Sequence, residues 1–271
     1  MRRWARRVWP GAGWAMRING LSEIAGRFDG MLIDQFGVIH DGEKLYSGTI
    51  RVLTELRTLR VPVAVMTNSG KRAAANRARL LNMGVPRDCF VDAVSSGEVA
   101  YQSLNVKCAF LIGKADEDYG FDGVSFVDDP REAQVILILG SNAPAASLDD
   151  YRALLKGLKL PAICCNPDKF MLSPHGLLPA PGAIAALYEE MGGKVSWIGK
   201  PYAEIYRHAA KLIGNPKRIL CIGDSAEHEV AGGRNAGFST LLVMTGVSAG
   251  LDPARLEPQP DYWMEAFTWT A

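Results

Sequence analysis

Short apolar runs alternate with amphipathic stretches along most of this chain, and that alternation constrains its fold more than any other feature. The runs are long enough to form buried parallel strands, and the stretches between them carry apolar residues at helical spacing. Regular alternation of strand and helix is typical of an α/β fold built on a parallel sheet. Gly84 and Gly214 are predicted to end two of the helices. In this first group, strands are predicted at residues 31–33, 61–67, 195–198, 218–222 and 240–245, and helices at residues 50–59, 71–83 and 204–213.

The middle of the chain carries strand-like and helical runs of its own, which suffice to close a separate small α/β layer. We therefore expect a doubly wound parallel core formed by residues 17–105 and 194–271, with a smaller inserted α/β cap formed by residues 106–193. The predicted cap elements are strands at residues 109–112, 124–127, 135–139 and 161–165, and helices at residues 148–158 and 182–191.

The composition favours a small-molecule site over a nucleic-acid or membrane surface. Among 271 residues, 30 lysines and arginines balance 29 aspartates and glutamates, so the net charge of +1 creates no attractive field for polyanions. No apolar run approaches the roughly 18 residues that a membrane span needs, so we expect a soluble body and a cytoplasmic location. The five cysteines form no C-x-x-C pair and are interpreted as reduced thiols rather than disulfide partners or zinc ligands.

The N-terminal segment differs from the rest of the chain. Residues 1–17 hold five arginines and three tryptophans but no acidic residue. Such a segment is compatible with a transit-like peptide, and Met16 offers a second start. Because serine is absent there, we favour an over-long start assignment or a disordered tail for residues 1–16.

The first segment that carries chemistry is an apolar strand that ends in a carboxylate and then breaks on glycine. Its sequence is Met31-Leu-Ile-Asp34-Gln-Phe36-Gly37-Val38. In open α/β sheets, ligands bind beyond the carboxyl ends of the strands, so Asp34 lies where a nucleophile or a metal ligand belongs. Taken alone, Asp34 is equally well explained as a turn or helix cap.

The second segment, residues 63–70, is again a strand that runs into small polar residues. Thr67 is suited to donate its hydroxyl to a phosphate oxygen, and Asn68 and the N–H groups of the following helix would complete an anion cradle. Ser69 is either part of that cradle or a plain helix N-cap, and the N-cap is the favoured interpretation.

The third segment places Lys200 between Gly199 and Pro201 at a predicted strand end. An ammonium group fixed in that way would offset the crowding of an aspartate and a phosphate dianion. An ordinary surface lysine is the alternative, but the flanking glycine and proline favour a functional role.

The fourth segment, residues 220–229, ends a strand with a second carboxylate, Asp224, and carries further acids in the next helix. Two strand-end carboxylates, together with phosphate oxygens and water, form the oxygen-rich set that Mg²⁺ prefers. Glu229 lies five residues after Asp224 and is suited to hold a metal-bound water.

These four segments, in this order and with a long insertion before the third, resemble the haloacid-dehalogenase (HAD) superfamily. The resemblance covers nearly the whole chain after Met16. It narrows to the NagD-like class with a type-2 cap, because the insertion lies between the Thr67 and Lys200 segments. The insertion carries Asn166-Pro167-Asp168, followed by Gly182-Ala-Ile-Ala and the Gly199-Lys-Pro step.

The resemblance implies a Mg²⁺-dependent phosphatase that acts on a small phosphorylated metabolite. Asp34 would be the nucleophile, forming an aspartyl-phosphate that water hydrolyses, with Thr67 and Lys200 binding the phosphoryl group. Neither a monomer nor a homo-oligomer is favoured. The implied metal site comprises Asp34, Asp224 and the carbonyl oxygen of Phe36, with Asn68 and Glu229 in support. The implied substrate contacts are Asn68, Ser69, Asn166 and Asp168, although Asn166 and Asp168 are equally well explained by an ordinary Asn-Pro-Asp turn.

The chain departs from the family pattern at Phe36, where phosphatases of this family carry a second aspartate that protonates the leaving group. Such a proton donor contributes typically about 10² to 10⁴ in rate. Three outcomes stay open: a slow phosphatase that prefers acidic leaving groups, a substitute donor, or a protein that binds phosphate esters without turnover. His40 is the nearest candidate donor, although an ordinary loop histidine is the simpler interpretation.

Two lesser interpretations complete the prediction. An aromatic residue at position 36 also resembles the dehalogenases of the superfamily, but a large cap and the retained Asp224 disfavour that activity. His175 is assigned to a loop, and His208 and His228 are expected at exposed positions on helices.

Overall fold

Two parallel β-sheets organise the chain in the computed structural model, which describes residues 15–114, 116–173 and 176–270. The strands are β1 Met16–Arg17, β2 Gly30–Asp34, β3 Val63–Thr67, β4 Asp92–Ser95, β5 Cys108–Ile112, β6 Ser125–Val127, β7 Val135–Ile138, β8 Pro161–Cys164, β9 Phe170–Ser173, β10 Gly176–Pro179, β11 Lys194–Trp197, β12 Ile219–Gly223, β13 Ser239–Val243 and β14 Tyr262–Met264. The α-helices are α1 Thr49–Thr58, α2 Ala73–Asn82, α3 Ser96–Ser103, α4 Leu148–Leu155, α5 Pro181–Glu190, α6 Ala203–Leu212 and α7 Gly232–Asn235.

The larger sheet has seven parallel strands in the order β1-β14-β13-β12-β2-β3-β4. From β2 the chain builds toward β4 on one side, and the later strands add on the other side of β2. The strand order therefore reverses between β2 and β12, which is the topological switch point where open α/β sheets bind ligands. Every residue of β2 is buried, as expected for a central strand covered on both faces.

The smaller sheet has five parallel strands in the order β11-β8-β7-β5-β6, and α4 and α5 pack against it. An antiparallel hairpin of β9 and β10 accompanies it. The predicted α/β class with an inserted second layer is confirmed. Strand β11, which was predicted as a core strand, instead pairs with β8, so the cap sheet extends through Trp197, a few residues past the expected limit near residue 193.

Local signals located most elements to within a few residues. The helices α2 and α6 end just before Gly84 and Gly214, which adopt φ values of +95° and +85°, as the sequence predicted. The strands β4 and β14 and the helix α3 were not predicted, since their runs are short and lack clear periodicity.

The N-terminal prediction falls mainly on residues 1–14, which lie outside the described residues. Met16 was assigned to the tail, but it belongs to β1 and pairs with Tyr262 of β14. Among the described residues, no helix is long and apolar enough to cross a membrane. The five cysteines are free thiols, as predicted.

A partly buried ion pair between Arg72 and Glu98 fixes α3 against the start of α2. The Glu98 carboxylate accepts hydrogen bonds from Arg72 Nε at 2.6 Å, from the Ala73 N–H at 3.1 Å and from Gln102 Nε2 at 2.9 Å. Burial alone would raise the pKa of Glu98, but these donors outweigh it and hold the pKa at about 2. Arg72 also donates to the Gly120 carbonyl oxygen of the cap at 3.1 Å, so the pair contributes to the join between core and cap.

We predict that Glu98→Gln lowers the free energy of unfolding by about 2 kcal/mol at neutral pH, because several charge-assisted hydrogen bonds are weakened. Since folding lowers the pKa of Glu98, its stabilisation is present above the ordinary value of 4.5 and is lost as pH falls toward about 2. Urea denaturation from about pH 7 to pH 3 should therefore show a shrinking difference from wild type. Glu190→Gln, at an exposed site, is the control; an equal loss in both variants would contradict the prediction.

Candidate active site

Two carboxylates from distant parts of the sequence meet at the switch point of the core sheet. Asp34 ends β2 and Asp224 directly follows β12, the neighbouring strand. Asp34, Asp224 and Glu229 are buried, and each offers a carboxylate oxygen within 4.8 Å of the others. The meeting of Asp34 and Asp224 was the central prediction from the sequence, and the structure brings these two acids together with Glu229 beside them.

Lys200 lies among these acids. Its Nζ is 2.5 Å from Asp34 Oδ1 and 2.6 Å from Glu229 Oε1. The side chain is only 4% exposed, so the interpretation of Lys200 as an ordinary surface residue is wrong. The lysine thus places one positive charge against three buried acids.

The backbone around Gly199 explains how Lys200 reaches this position. Gly199 has a φ of +132°, and a Cβ there would lie 2.5–2.7 Å from Ser96 Oγ, Pro167 Cδ and Asn68 Oδ1. Only glycine fits both the conformation and the space. The chain can therefore turn directly from the end of the cap sheet toward Asp34.

Asn68 fixes the main chain of Lys200 from the opposite side. Its Oδ1 accepts the Lys200 N–H at 2.7 Å, and its Nδ2 donates to the Lys200 carbonyl oxygen at 3.1 Å and to Asp168 Oδ1 at 2.8 Å. Both ends of the Asn68 amide are thus engaged by protein groups. Asn68 therefore positions Lys200, as the family resemblance implied, and because it also lines the cavity in front of Asp34 its contact with substrate stays a prediction.

Glu229 lies on a π-helical segment, Ala226–Ala231, which follows β12. Its Oε2 accepts the Ser225 N–H at 3.2 Å, whereas its Oε1 is buried and makes only the ion pair with Lys200. A Cβ on Gly223 would collide with the Glu229 side chain, so glycine at that position makes room for it. Glu229 is 0% exposed and neutralises Lys200 from behind Asp34.

Burial and mutual repulsion govern the charges of this cluster. Burial raises the pKa of Asp34, and the nearby Lys200 only partly offsets that effect. The pKa of Asp224 is also raised, by burial and then by Asp34 and Glu229. Burial alone would lower the pKa of Lys200, but Asp34 and Glu229 outweigh it and raise that pKa. The site therefore has more acid than one lysine can balance.

A cleft of about 590 Å³ opens in front of these groups, between the strand ends of the core and the cap hairpin. Thr67 lines it, and the Thr67 hydroxyl makes no hydrogen bond within the described part of the chain, so this hydroxyl is available to a ligand. Ser69 also lines it, but its Oγ accepts the Lys71 N–H at 3.2 Å in a turn. Because α2 begins at Ala73, the N-cap interpretation of Ser69 is wrong.

The predicted cap residues reach the same cleft. Asn166 Oδ1 accepts the Asp168 N–H at 3.0 Å, so the Asn-Pro-Asp turn exists and also faces the core. Asp168 is bonded to Asn68 and lies 3.6 Å from His228 Nε2. His228, which was expected to be exposed, therefore lines the cleft. His175 lies outside the described residues.

The turn after β13 contributes a contact that the sequence prediction overlooked. The Val247 N–H donates to Asp224 Oδ2 at 2.7 Å, and Thr245 Oγ1 donates to the Gly37 carbonyl oxygen at 2.5 Å. A Cβ on Gly37 or Gly246 would collide with Asp224. Ligands bind beyond the carboxyl ends of parallel strands, and residues 244–247 directly follow β13. This position is the sequence signal that could have identified the contact.

A divalent cation fits the chemistry of this site. Three buried carboxylates stand against one lysine, so the negative charge of the site is not balanced by the protein itself. Hard cations prefer such oxygen ligands, and an added positive charge would relieve the repulsion that raises the pKa of Asp34 and Asp224. Among the described residues, Asp34 and Asp224 are the ligands best placed to hold it.

Two family models match the chain on either side of the cap. The model of haloacid dehalogenase-like hydrolases matches residues 31–126, and a HAD-hydrolase-like model matches residues 197–270. The fold, the strand-end acids and these matches together define a haloacid dehalogenase-like hydrolase with a cap, and the chain belongs to that family. The resemblance to its NagD-like class is confirmed.

Relatives match along nearly the whole length. Dihydroxyacetone phosphatase of Corynebacterium glutamicum is 26% identical over 240 residues, which cover 85% of this chain and 86% of that protein. A haloacid dehalogenase-like hydrolase of Brucella suis 1330 superposes with a TM-score of 0.82 at 28% identity, covering 93% of this chain and all of the other. The 4-nitrophenylphosphatase of Thermotoga maritima gives a TM-score of 0.72 at 27% identity, with 90% and 96% covered.

We predict that Lys200→Met destabilises the metal-free protein by about 3–5 kcal/mol at about pH 8, because buried acids lose their cation. In the variant these acids have folded-state pKa values above the unfolded value of about 4, so stability is retained below that value and lost as pH rises. Denaturation in EDTA should show a smaller deficit at about pH 5. Lys211→Met, on the exposed side of α6, is the control; a deficit that does not change with pH would refute the assignment.

Proposed function

We propose that this protein is a Mg²⁺-dependent phosphatase that cleaves small phosphate monoesters through an aspartyl-phosphate at Asp34. The observation that carries the proposal is the meeting of Asp34 and Asp224 around Lys200 at the switch point. The phosphatase relatives found above, alike over core and cap, support the same class of substrate.

The hydrogen bonds of Asp34 indicate which oxygen acts. Its Oδ1 accepts from Lys200 Nζ and from the Gln35 N–H at 2.8 Å, so Oδ2 keeps its lone pairs for attack. In the first step Asp34 Oδ2 bonds to phosphorus and the ester P–O bond breaks. In the second step water attacks phosphorus and the P–O bond to Asp34 breaks, which restores the carboxylate and releases dihydrogen phosphate that carries both protons of the water.

The remaining groups bind and orient the phosphate. Thr67 offers an unpaired hydroxyl to a phosphoryl oxygen, and the Lys200 ammonium offsets the charge that builds between Asp34 and the phosphate dianion. When bound to Asp34, Asp224 and the Phe36 carbonyl oxygen, Mg²⁺ would supply the further positive charge that this transfer needs. Asp168, tied to Asn68, brings the cap to the edge of the site.

Phe36 determines which leaving groups depart readily. The position offers no proton, and His40 does not replace it: burial lowers the pKa of His40 to about 4, and its Nδ1 accepts the Gly42 N–H at 2.9 Å. His40 is therefore neutral and is a poor acid at neutral pH. Leaving groups that depart as anions, such as phenolates and carboxylates, are favoured, and the apolar side chains of Phe36, Phe170 and Val247 at the cleft suit an aryl group.

A non-catalytic phosphate-binding protein is the second candidate, because the same geometry binds a phosphate ester whether or not turnover follows. Phe36 is the observation that favours it. A metal-independent dehalogenase fits less well, since three clustered buried acids point to a cation.

We predict Mg²⁺-dependent hydrolysis of p-nitrophenyl phosphate and acetyl phosphate, with alkyl phosphates cleaved at least about tenfold more slowly. Asp34→Asn should abolish all of it, because the nucleophile is lost. Phe36→Asp should raise kcat/KM on alkyl phosphates by about tenfold or more and change p-nitrophenyl phosphate hydrolysis little, since a proton donor contributes most to poor leaving groups.

Phe36→Asn is the matched control, because it has the size of aspartate but no acidic proton. A gain in both variants would mean that bulk, not proton transfer, limits the rate. Wild-type protein that binds all these esters and cleaves none would support the non-catalytic candidate. Metal-free release of halide from a 2-haloacid would support the dehalogenase.

We also predict that Mg²⁺ stabilises the fold through Asp224. At about 100 times the dissociation constant, a ligand that binds only the folded state adds about 2.7 kcal/mol, or several degrees in Tm for a chain of this size. Differential scanning fluorimetry should show that rise in wild type and none in Asp224→Asn. Asp149→Asn, an exposed cap residue, should keep it. A shift that survives Asp224→Asn would place the metal elsewhere.

A further inference from the structure

A second cavity lies beside the catalytic cleft, on the other side of Phe36. It has a volume of about 270 Å³ and shares Phe36, Thr67, Ser69, Asn166 and Met171 with the cleft as lining residues. A molecule whose phosphate is held at Asp34 can therefore extend from the cleft into this side cavity. No step proposed above uses it.

Gln35 and His40 line the side cavity, and each has one buried polar atom without a hydrogen-bond partner among the described residues, namely Gln35 Oε1 and His40 Nε2. Gln35 and His40 are only 2% and 1% exposed, so water does not freely compensate them. Because His40 Nδ1 accepts the Gly42 N–H, the neutral ring carries its proton on Nε2. The cavity thus offers one unused donor and one unused acceptor, which is unusual for a purely structural pocket.

Positive charge surrounds these atoms. Lys71, Arg79 and Lys114 line the cavity, with Glu117 as the acid among the lining residues. Glu117 is paired with Lys71 Nζ at 2.6 Å. Arg79 and Lys114 form no ion pair within the described part of the chain. The lining therefore carries two unpaired cations beside a polar floor, and an arginine suits an oxyanion in particular.

We infer that the side cavity binds a second anionic group, a carboxylate or a second phosphate, on the leaving-group part of the substrate. The inference rests on the proposed function, because it assumes that the first phosphate lies at Asp34. Arg79 and Lys114 would hold the distal oxyanion, while His40 Nε2–H and Gln35 Oε1 would bond to it or to a neighbouring hydroxyl. The volume of about 270 Å³ leaves room for a short carbon chain that carries the second anionic group.

Three ligands with the same three-carbon chain test this inference. Glycerol 3-phosphate has one anionic group, 3-phosphoglycerate adds a carboxylate, and glycerol 1,3-bisphosphate adds a phosphate. Calorimetry with the Asp34→Asn protein and Mg²⁺ measures binding without turnover. We expect at least one two-anion ligand to bind about tenfold more tightly than glycerol 3-phosphate, and the tighter of the two identifies the preferred anion.

Arg79→Gln in the same background should remove that preference and change the affinity for glycerol 3-phosphate less than twofold. Arg51→Gln, at an exposed site of α1, should change neither. Equal affinities for the three ligands would overturn the inference, as would a preference that survives Arg79→Gln combined with Lys114→Gln. A preference that Arg51→Gln weakens equally would also overturn it, because general charge attraction would then explain it. Hydrolysis by wild type tests the proposed function separately, so either idea can fail alone.

Discussion

The buried contact between Lys200 and the acids around it is the interaction on which the rest of the site depends. Removing charged groups from water is costly unless they are paired, and here one ammonium faces three carboxylates. Lys200 is held within 2.6 Å of both Asp34 and Glu229, yet negative charge remains in excess. A bound cation would offset this excess negative charge. The cation and Lys200 together would then attract the negative charge of a phosphate.

The parallel sheet makes this arrangement possible, because its strands all end at one edge and their polar C-terminal residues therefore lie close together. The neighbouring strands β2 and β12 bring Asp34 and Asp224 together, while the turn after β13 supplies the N–H of Val247. Glycine appears where the backbones crowd Asp224. The side cavity follows the same logic, since Gln35 and His40 belong to the loop that leaves β2.

Much of this could be predicted from the sequence, because strand-end carboxylates and helix-ending glycines are local signals. Asp34, Lys200 and Asp224 were found in that way, and they lie together. What was missed depends on partners far along the chain. From the sequence Asn68 was interpreted as a phosphate ligand, but its amide bonds to both the N–H and the carbonyl oxygen of Lys200. His228 was expected to be exposed, but it lies beside Asp168 of the cap. Strand β11 was predicted for the core because its apolar pattern is the same as that of a core strand. Only its pairing with β8 shows that it belongs to the cap sheet.

Strand β11 links the cap sheet to Lys200. This strand is the edge of the cap sheet, and it ends at Trp197, three residues before Lys200. A rigid rotation of the cap would pull on the peptide that carries the ammonium group, while Asn68 and Asp168 resist from the core and cap sides. The segment that joins the cap sheet to the core thus also carries Lys200. A rotation of the cap sheet against the core would therefore act directly on the contact between Lys200 and Asp34.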